Sequence, residues 1–403
     1  MRDIIQNEIH KIIDNAIELR HRFHEIPERS FEEKETAHLI AQELRGMGVA
    51  VKEGLAKTGI VATIKGKRPG NIVALRADMD ALKIEEETSK PYTSKHKGFS
   101  HCCGHDGHIV CALETARILA SLRKRLAGTV RVIFQPGEEI GNGAQAMIDA
   151  GALGEPLPSA IFMLHSWPGL ESGMVASKPG TITAANDHFG ITVKGKGGHG
   201  ARPHESISPI VSAAHLVQKI SNLTSDGDNH PCVVSVGVMR GGTQANVIPD
   251  YASIQGTIRS LNEISRQKVL EMFKKTVGNI CVKDSVEEAI NFHKYCPPVN
   301  NHPDLYHLFE RTGDDLLIPE KRAYITKQSM GSEDFGYFTQ LIPGLLIRLG
   351  MGKSSPPLHT SNFDFCDSSL AAGITILVGL AMRSAESDFK INIERVDETV
   401  QKK

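Results

Sequence analysis

The chain has 403 residues, 40% of them hydrophobic and 23% charged, with a formal net charge of −1. That length exceeds what one ordinary core organises, so two domains are expected. The balanced charge, spread along the chain, removes the electrostatic case for a nucleic-acid binder.

The N-terminal stretch "MRDIIQNEIHKIIDNAIELRHRF" carries charges throughout and does not read as a signal peptide. Residues 30–48 read as a helix, with Ser30 and Glu33 in a capping-box pattern and Gly46 and Gly48 at its end. "GIVATIKG" and "NIVALRADMD" follow as strands, then a helix over roughly 107–125. Gly104 and Gly107 disfavour a regular helix through 101–107, which predicts a loop there. "GTVRVIFQPGEE" and "SAIFMLHSWP" are further strands, with the short helix "AQAMIDAGAL" between them. Strands alternating with helices predict an α/β domain with parallel pairing.

From about 185 to 297 the order becomes β-α-β-β-α-β, a ferredoxin-like α+β arrangement. It is flanked by linker-like segments, and the α/β pattern resumes beyond it with "LLIRLGM" as a strand and 368–383 as a closing helix. The expected organisation is therefore a catalytic α/β domain in two parts, 1–184 and 298–403, with a lid inserted at 185–297. The apolar run "LAAGITILVGLAM" is too short to cross a bilayer and reads as a buried helix, so no membrane partner is expected. The seven cysteines are odd in number and irregularly spaced, which predicts free thiols in a cytoplasmic protein.

Chemistry concentrates near strand ends, where open α/β sheets build their sites. In "HCCGHDGH", residues Cys103 and His105 lie two apart and can aim at one point. A metal pair and a buried cysteine beside a surface histidine fit that stretch equally well. "FQPGEE" offers Glu138 and Glu139; one carboxylate can hold a metal while its neighbour accepts a proton, and a solvated acidic turn is the plain alternative. His165 ends a strand and His359 follows one, and either alone reads as a structural histidine. Taken together, Cys103, His105, Glu139, His165 and His359 exceed the needs of one structural zinc, and two metals sharing a ligand would use the set well. Asp78 and Asp80 suit either an imidazole-orienting role or a turn cap. Glu333 and Asp334 remain open between a helix cap and a substrate contact. His199 reads as a donor to substrate. Arg259 suits a carboxylate clamp, against the alternative of a salt bridge on a sheet face.

The motifs "LRADMDAL", "CGHDGH", "FQPGEE", "KGKGGHGARPH", "NVIPD", "SEDF" and "LHTSNFDF" occur in an order that resembles the dinuclear metallo-amidohydrolases. That family includes aminoacylases, hippurate hydrolases, indole-acetyl-amino-acid hydrolases and related carboxypeptidases. The resemblance runs from "RHRFHEIPE" at 20–28 to the "LH" at 358–359. It implies a zinc-peptidase-like mixed sheet flanked by helices, carrying a ferredoxin-like lid. It implies two divalent ions (zinc, manganese, nickel or cobalt) on Cys103, His105, Glu139, His165 and His359, with Cys103 bridging. Glu138 matches the general base, and His199 the lid histidine that stabilises an oxyanion, often across a dimer interface. Asn246 and Arg259 match residues that hold the substrate's carboxylate end. The implied reaction is hydrolysis of an N-acyl-amino acid by a homodimer or higher homo-oligomer, with short-peptide cleavage as the alternative. Asp106 and His108 are expected in supporting or helix-entry positions, and Cys102 has no assigned role. The chain departs from the wider pattern at Arg76, where H-x-D is common, at Gly137 and Ile140 around the glutamates, and at Thr360.

Overall fold

The computed structural model describes residues 1–224, 231–318, 321–325 and 327–392. The end of the 298–403 segment, from 393 onward, thus lies outside the described residues. The chain divides into two units. One comprises Met1–Ile182, Asn300–Thr326 and Asp334–Lys403; the other comprises Thr183–Val299 and Lys327–Glu333.

The first unit begins with helix α1 (Arg2–His24), which buries Ile5, Ile9, Ala16, Leu19 and Phe23 along one face. Helix α2 (Lys34–Gly46) follows. The expected capping box does not form. Ser30 Oγ donates instead to Asp80 Oδ2 at 2.6 Å, and Glu33 accepts from Thr58 Oγ1 at 2.6 Å and from the Gly137 amide at 3.1 Å. Both side chains are drawn away from the helix end by partners distant in sequence.

Next come β1 (Ala50–Leu55), β2 (Gly59–Lys65), β3 (Arg68–Asp78), α3 (His105–Ser121), β4 (Ala127–Gln135), α4 (Gly143–Asp149), β5 (Ala160–Trp167), β6 (Val175–Ser177) and β7 (Gly180–Thr181). Helix α3 starts two residues earlier than expected. Gly104 takes φ +88 and turns the chain directly into it, and Gly107 lies within the first turn. A Cβ on Gly107 would stand 2.3 Å from the Phe365 ring, so this glycine serves close packing rather than a loop.

The second unit carries β8 (Ala185–Lys194), β9 (Gly198–His199), α5 (Pro209–Ser221), β10 (Cys232–Gly241), β11 (Val247–Ile248), β12 (Tyr251–Ser260), α6 (Glu263–Asp284) and β13 (Glu287–Cys296). Its main sheet runs β10-β12-β8-β13 with every pairing antiparallel, the strand order of a ferredoxin-like fold. Phe189, Ile191, Val193, Leu216, Phe273 and Val277 form its separate core. Residues 327–333, grouped by sequence with the second catalytic part, pack here instead: the Ala184 amide donates to the Gly331 carbonyl at 2.9 Å, and Thr183 bridges Ser329.

The chain returns to the first unit with β14 (Asn300–Asn301), α7 (Pro303–Leu316), β15 (Arg322–Tyr324), α8 (Gly336–Thr339), β16 (Gly344–Gly350) and α9 (Leu370–Ser384). The large sheet runs β1-β2-β4-β3-β5-β16-β14-β7, with β6 against β16 and β15. Strands β4, β3, β5 and β16 are mutually parallel and β1 and β2 antiparallel, which makes the sheet mixed. The central strands are buried runs such as Val73–Leu75 and Ala160–Leu164, as expected where helices cover the sheet. The apolar run near the C-terminus is α9, buried nearly all round. No helix among the described residues is long and apolar enough to cross a membrane.

Candidate metal centre

Parallel pairing brings the C-terminal ends of β3, β5 and β16 to one edge of the first unit, and the chemistry-bearing residues meet there. His105 is the first residue of α3, and Cys103 precedes it across the Gly104 turn. Glu138 and Glu139 follow the Pro136-Gly137 turn after β4. Gly137 has φ +69, and a Cβ there would stand 2.8 Å from the Phe31 ring, which accounts for glycine at this position. His165 lies on β5. His359 sits in the loop after β16 with φ +62, a left-handed conformation rare for histidine, held by its amide donating to the Cys102 carbonyl at 2.8 Å.

Cys103 Sγ lies 3.6 Å from His165 Nε2 and 3.3 Å from His359 Nε2. Glu139 Oε1 lies 3.5 Å from His359 Nε2 and 3.8 Å from His105 Nε2. The donor atoms of Cys103, His105 and His165 fall within 4.8 Å of one another, and so do those of Cys103, Glu139 and His359. The two triads share Cys103. Tetrahedral zinc with bonds of about 2.0–2.3 Å sets its ligands about 3.3–3.8 Å apart, which these spacings match.

The ring orientations suit ligation too. His105 Nδ1 donates to the Asp80 carbonyl at 2.8 Å and His165 Nδ1 to the Ser166 carbonyl at 2.8 Å, so each leaves its Nε2 lone pair for the centre. His105 Nε2 and Glu139 Oε1 are buried with no hydrogen-bond partner. Buried polar atoms of this kind call for a partner, and a cation between them would serve both. The electrostatics agree. Burial, together with Glu139, Glu138 and Asp78, holds the Cys103 thiol well above its usual range, and burial with Asp80 and Asp78 nearby pushes Glu139 up to about 7. A divalent ion would relieve this crowding of acids and favour the thiolate. The residues present therefore fit two metal ions.

Asp78, His105 and His108 also cluster closely enough to suggest a third donor set. His108 is already fully used. Its Nδ1 lies 2.7 Å from Asp78 Oδ1, and its Nε2 accepts the Ser166 amide at 2.8 Å. The histidine that Asp78 orients is thus His108; His105 Nε2 stands 3.8 Å from Asp78 Oδ2.

Several supporting residues have partners that the sequence reading left open. Asp80 accepts the Glu138 amide at 3.2 Å and the Glu139 amide at 3.0 Å, fixing the turn that presents both glutamates. Arg76, standing where the wider pattern has histidine, is buried and bonds Asp78 at 2.7 Å, Asp334 at 2.9 Å and Gln135 at 2.9 Å. Asp334 also accepts from the Ala144 amide at 2.9 Å, so it serves as an internal counter-ion. Asp106 pairs with buried Arg20 and with His24 at 2.8 Å, tying the start of α3 to α1. The motifs mark Asp80 and Asp106 as supporting or capping residues, but the particular partners of these residues, and those of Arg76 and Asp334, have no local signal in the sequence.

The second unit holds the remaining expected residues. His199 is exposed on β9, and its Nδ1 accepts the Ala201 amide at 3.1 Å. The Gly200 amide donates to the Asn246 carbonyl at 2.8 Å, which places Asn246 beside it. Arg259 on β12 is half-buried, bonds Thr257 Oγ1 at 2.7 Å, and burial lowers its pKa. Among the described residues no carboxylate pairs with it.

A mixed α/β sheet carrying clustered Cys, His and Glu donors at its strand ends defines a metal-dependent hydrolase of amide or peptide bonds. The chain belongs to peptidase family M20/M25/M40, whose family model matches residues 74–383. It is 36% identical to a thermostable carboxypeptidase of Saccharolobus solfataricus over 94% of this chain and 98% of that one. It is 37% identical to an N-acetylcysteine deacetylase of Bacillus subtilis over 83% and 87%. A dinuclear metal binding M20 peptidase of Bacillus subtilis superimposes with a TM-score of 0.82 at 32% identity, covering 93% of this chain and 99% of that structure.

Proposed function

We propose that the protein hydrolyses the amide bond of N-acyl-amino acids to a carboxylate and a free amino acid. The observation that carries this reading is the pair of donor triads sharing Cys103, with Glu138 next to Glu139 at their edge. Cys103, His105 and His165 would hold one divalent ion and Cys103, Glu139 and His359 the other. Bound there, the ions would supply Lewis acidity, lowering the pKa of a water and polarising the scissile carbonyl. Glu138 acts as the general base: its carboxylate takes the attacking water's proton and returns it to the leaving amine nitrogen. His199 donates to the developing oxyanion, and Asn246 and Arg259 hold the α-carboxylate. Asp78 supports the site through His108. Zinc, manganese, nickel and cobalt all suit the mixed sulfur, nitrogen and oxygen donors.

The similarity to an N-acetylcysteine deacetylase favours the N-acyl-amino acid, whereas the similarity to a carboxypeptidase keeps short peptides as the second reading. The deciding experiment is a substrate panel on protein loaded separately with each of the four metals. N-acetyl, N-benzoyl and indole-acetyl amino acids are set against dipeptides and longer peptides. Faster turnover of the acyl amino acids supports the proposal; preference for peptides replaces it with the second reading. We place the protein in the cytoplasm, in keeping with the odd number and irregular spacing of its seven cysteines, and as a homo-oligomer joined through the inserted unit.

A further inference from the structure

Arg348 lies on β16 directly beside the proposed centre. It pairs in register with His165 on the parallel neighbour β5, one strand spacing of about 4.8 Å away, so both side chains leave the same face of the sheet. Trp167, two residues beyond His165, shares that face. The Arg348 guanidinium carbon stands 3.7 Å from the Trp167 ring centroid.

Arg348 is only 6% exposed. Its Nε has no hydrogen-bond partner, and its Nη2 makes one long contact, 3.5 Å, to the Ile182 carbonyl. No carboxylate among the described residues pairs with it. A second cation lies close enough to be felt: half-buried Lys178, whose Nζ donates to the Thr181 carbonyl at 3.0 Å and whose pKa is lowered by burial and then by Arg348. Stacking on an aromatic ring offsets only part of what burying an unpaired cation costs. The ring alone therefore does not account for a guanidinium kept here with free donors. The other buried arginines of this unit are built differently: Arg20 meets Asp106, Asp364 and Asp367, and Arg76 meets Asp78 and Asp334.

We propose that Arg348, with Lys178 and the Trp167 face, forms an anion subsite beside the metal centre that takes a second carboxylate of the substrate, distinct from the α-carboxylate assigned to Asn246 and Arg259. This rests on the amidohydrolase reading and narrows it to dicarboxylate amides. A guanidinium fork with open donors recognises a planar carboxylate well. The carboxylate belongs either to the acyl group, as in an N-succinyl-amino acid, or to the amino-acid side chain, as in an N-acyl-glutamate.

Trp167 is the single tryptophan of the chain, so its emission reports on this face alone. Titrating metal-loaded protein with succinate should change that emission saturably. Arg348→Gln and Lys178→Gln should each weaken the response about tenfold or more. Lys178→Gln keeps the test open if Arg348→Gln fails to fold. An identical titration in wild type and variants overturns the subsite. Kinetics then separate the two sources: N-succinyl-alanine against N-butyryl-alanine, and N-acetyl-glutamate against N-acetyl-glutamine. Arg348→Gln should lower kcat/KM about tenfold for the charged member of one pair, with both neutral members changed less than about twofold. Equal loss on charged and neutral substrates in both pairs overturns the subsite. If no substrate turns over while the succinate response persists, the amidohydrolase reading falls and the subsite stands.

Discussion

Asp78 Oδ1 and His108 Nδ1 lie 2.7 Å apart, and this contact joins three parts of the site. Asp78 ends β3 and is held on its other oxygen by Arg76; His108 belongs to α3, three residues after His105; and the far side of the His108 ring receives the amide of Ser166, the neighbour of His165. One hydrogen-bonded chain thus runs from a buried guanidinium through a carboxylate and an imidazole to the backbone that aims two proposed ligands. Asp78→Asn keeps every proposed donor atom but weakens this chain. Metal affinity, measured by chelator competition, should fall about 10–100-fold. Unchanged affinity would show that the donors hold their geometry without it.

Glu138→Gln should lower kcat by about 10²–10⁴-fold while metal content, read by elemental analysis, stays near two ions per chain. The amide keeps the shape of the side chain and loses its basicity. Loss of metal in this variant would make Glu138 a ligand and reverse its role with Glu139.

The pairing of His24 predicts a pH effect on stability. Burial disfavours the cation, but hydrogen bonds to Asp106 and Glu86 outweigh it and raise the pKa to about 10. The folded value lies above the unfolded one of about 6.5. The imidazolium's contribution is therefore complete below about pH 6.5 and is lost as pH rises from there through about 10. Urea unfolding of wild type and His24→Gln should show a stability gap that is largest near pH 6 and closes toward pH 10. A gap independent of pH would mean that the pair does not titrate with folding.

Sequence patterns singled out the five proposed donors because each stands near a strand end or a helix start within a short run of distinctive residues, as Cys103 and His105 do around Gly104. The alternation of strands and helices likewise predicted the mixed α/β sheet. What local pattern did not reveal is pairing at long range. Arg76 meets Asp334 across 258 positions, and Asp334 looked as much like a cap or a substrate contact as a counter-ion. Ser30 and Glu33 matched a capping box, yet Asp80, Thr58 and the Gly137 amide compete for the same side chains and win. Asp80, expected to orient an imidazole or to cap a turn, does both, its carbonyl fixing His105 and its carboxylate fixing the Glu138–Glu139 turn, but its neighbours do not reveal which residues it serves. Gly107, which argued for a loop, is demanded by the ring of Phe365.

The central claim is that one thiolate joins two ion sites, and the metal stoichiometry of Cys103→Ala tests it most directly. Both triads include Cys103, so removing its sulfur should leave well under one tightly held ion per chain, while Cys102→Ala, whose carbonyl holds His359 through the unchanged backbone, should keep two. Retention of both ions by Cys103→Ala, or their loss from Cys102→Ala, would contradict the assignment.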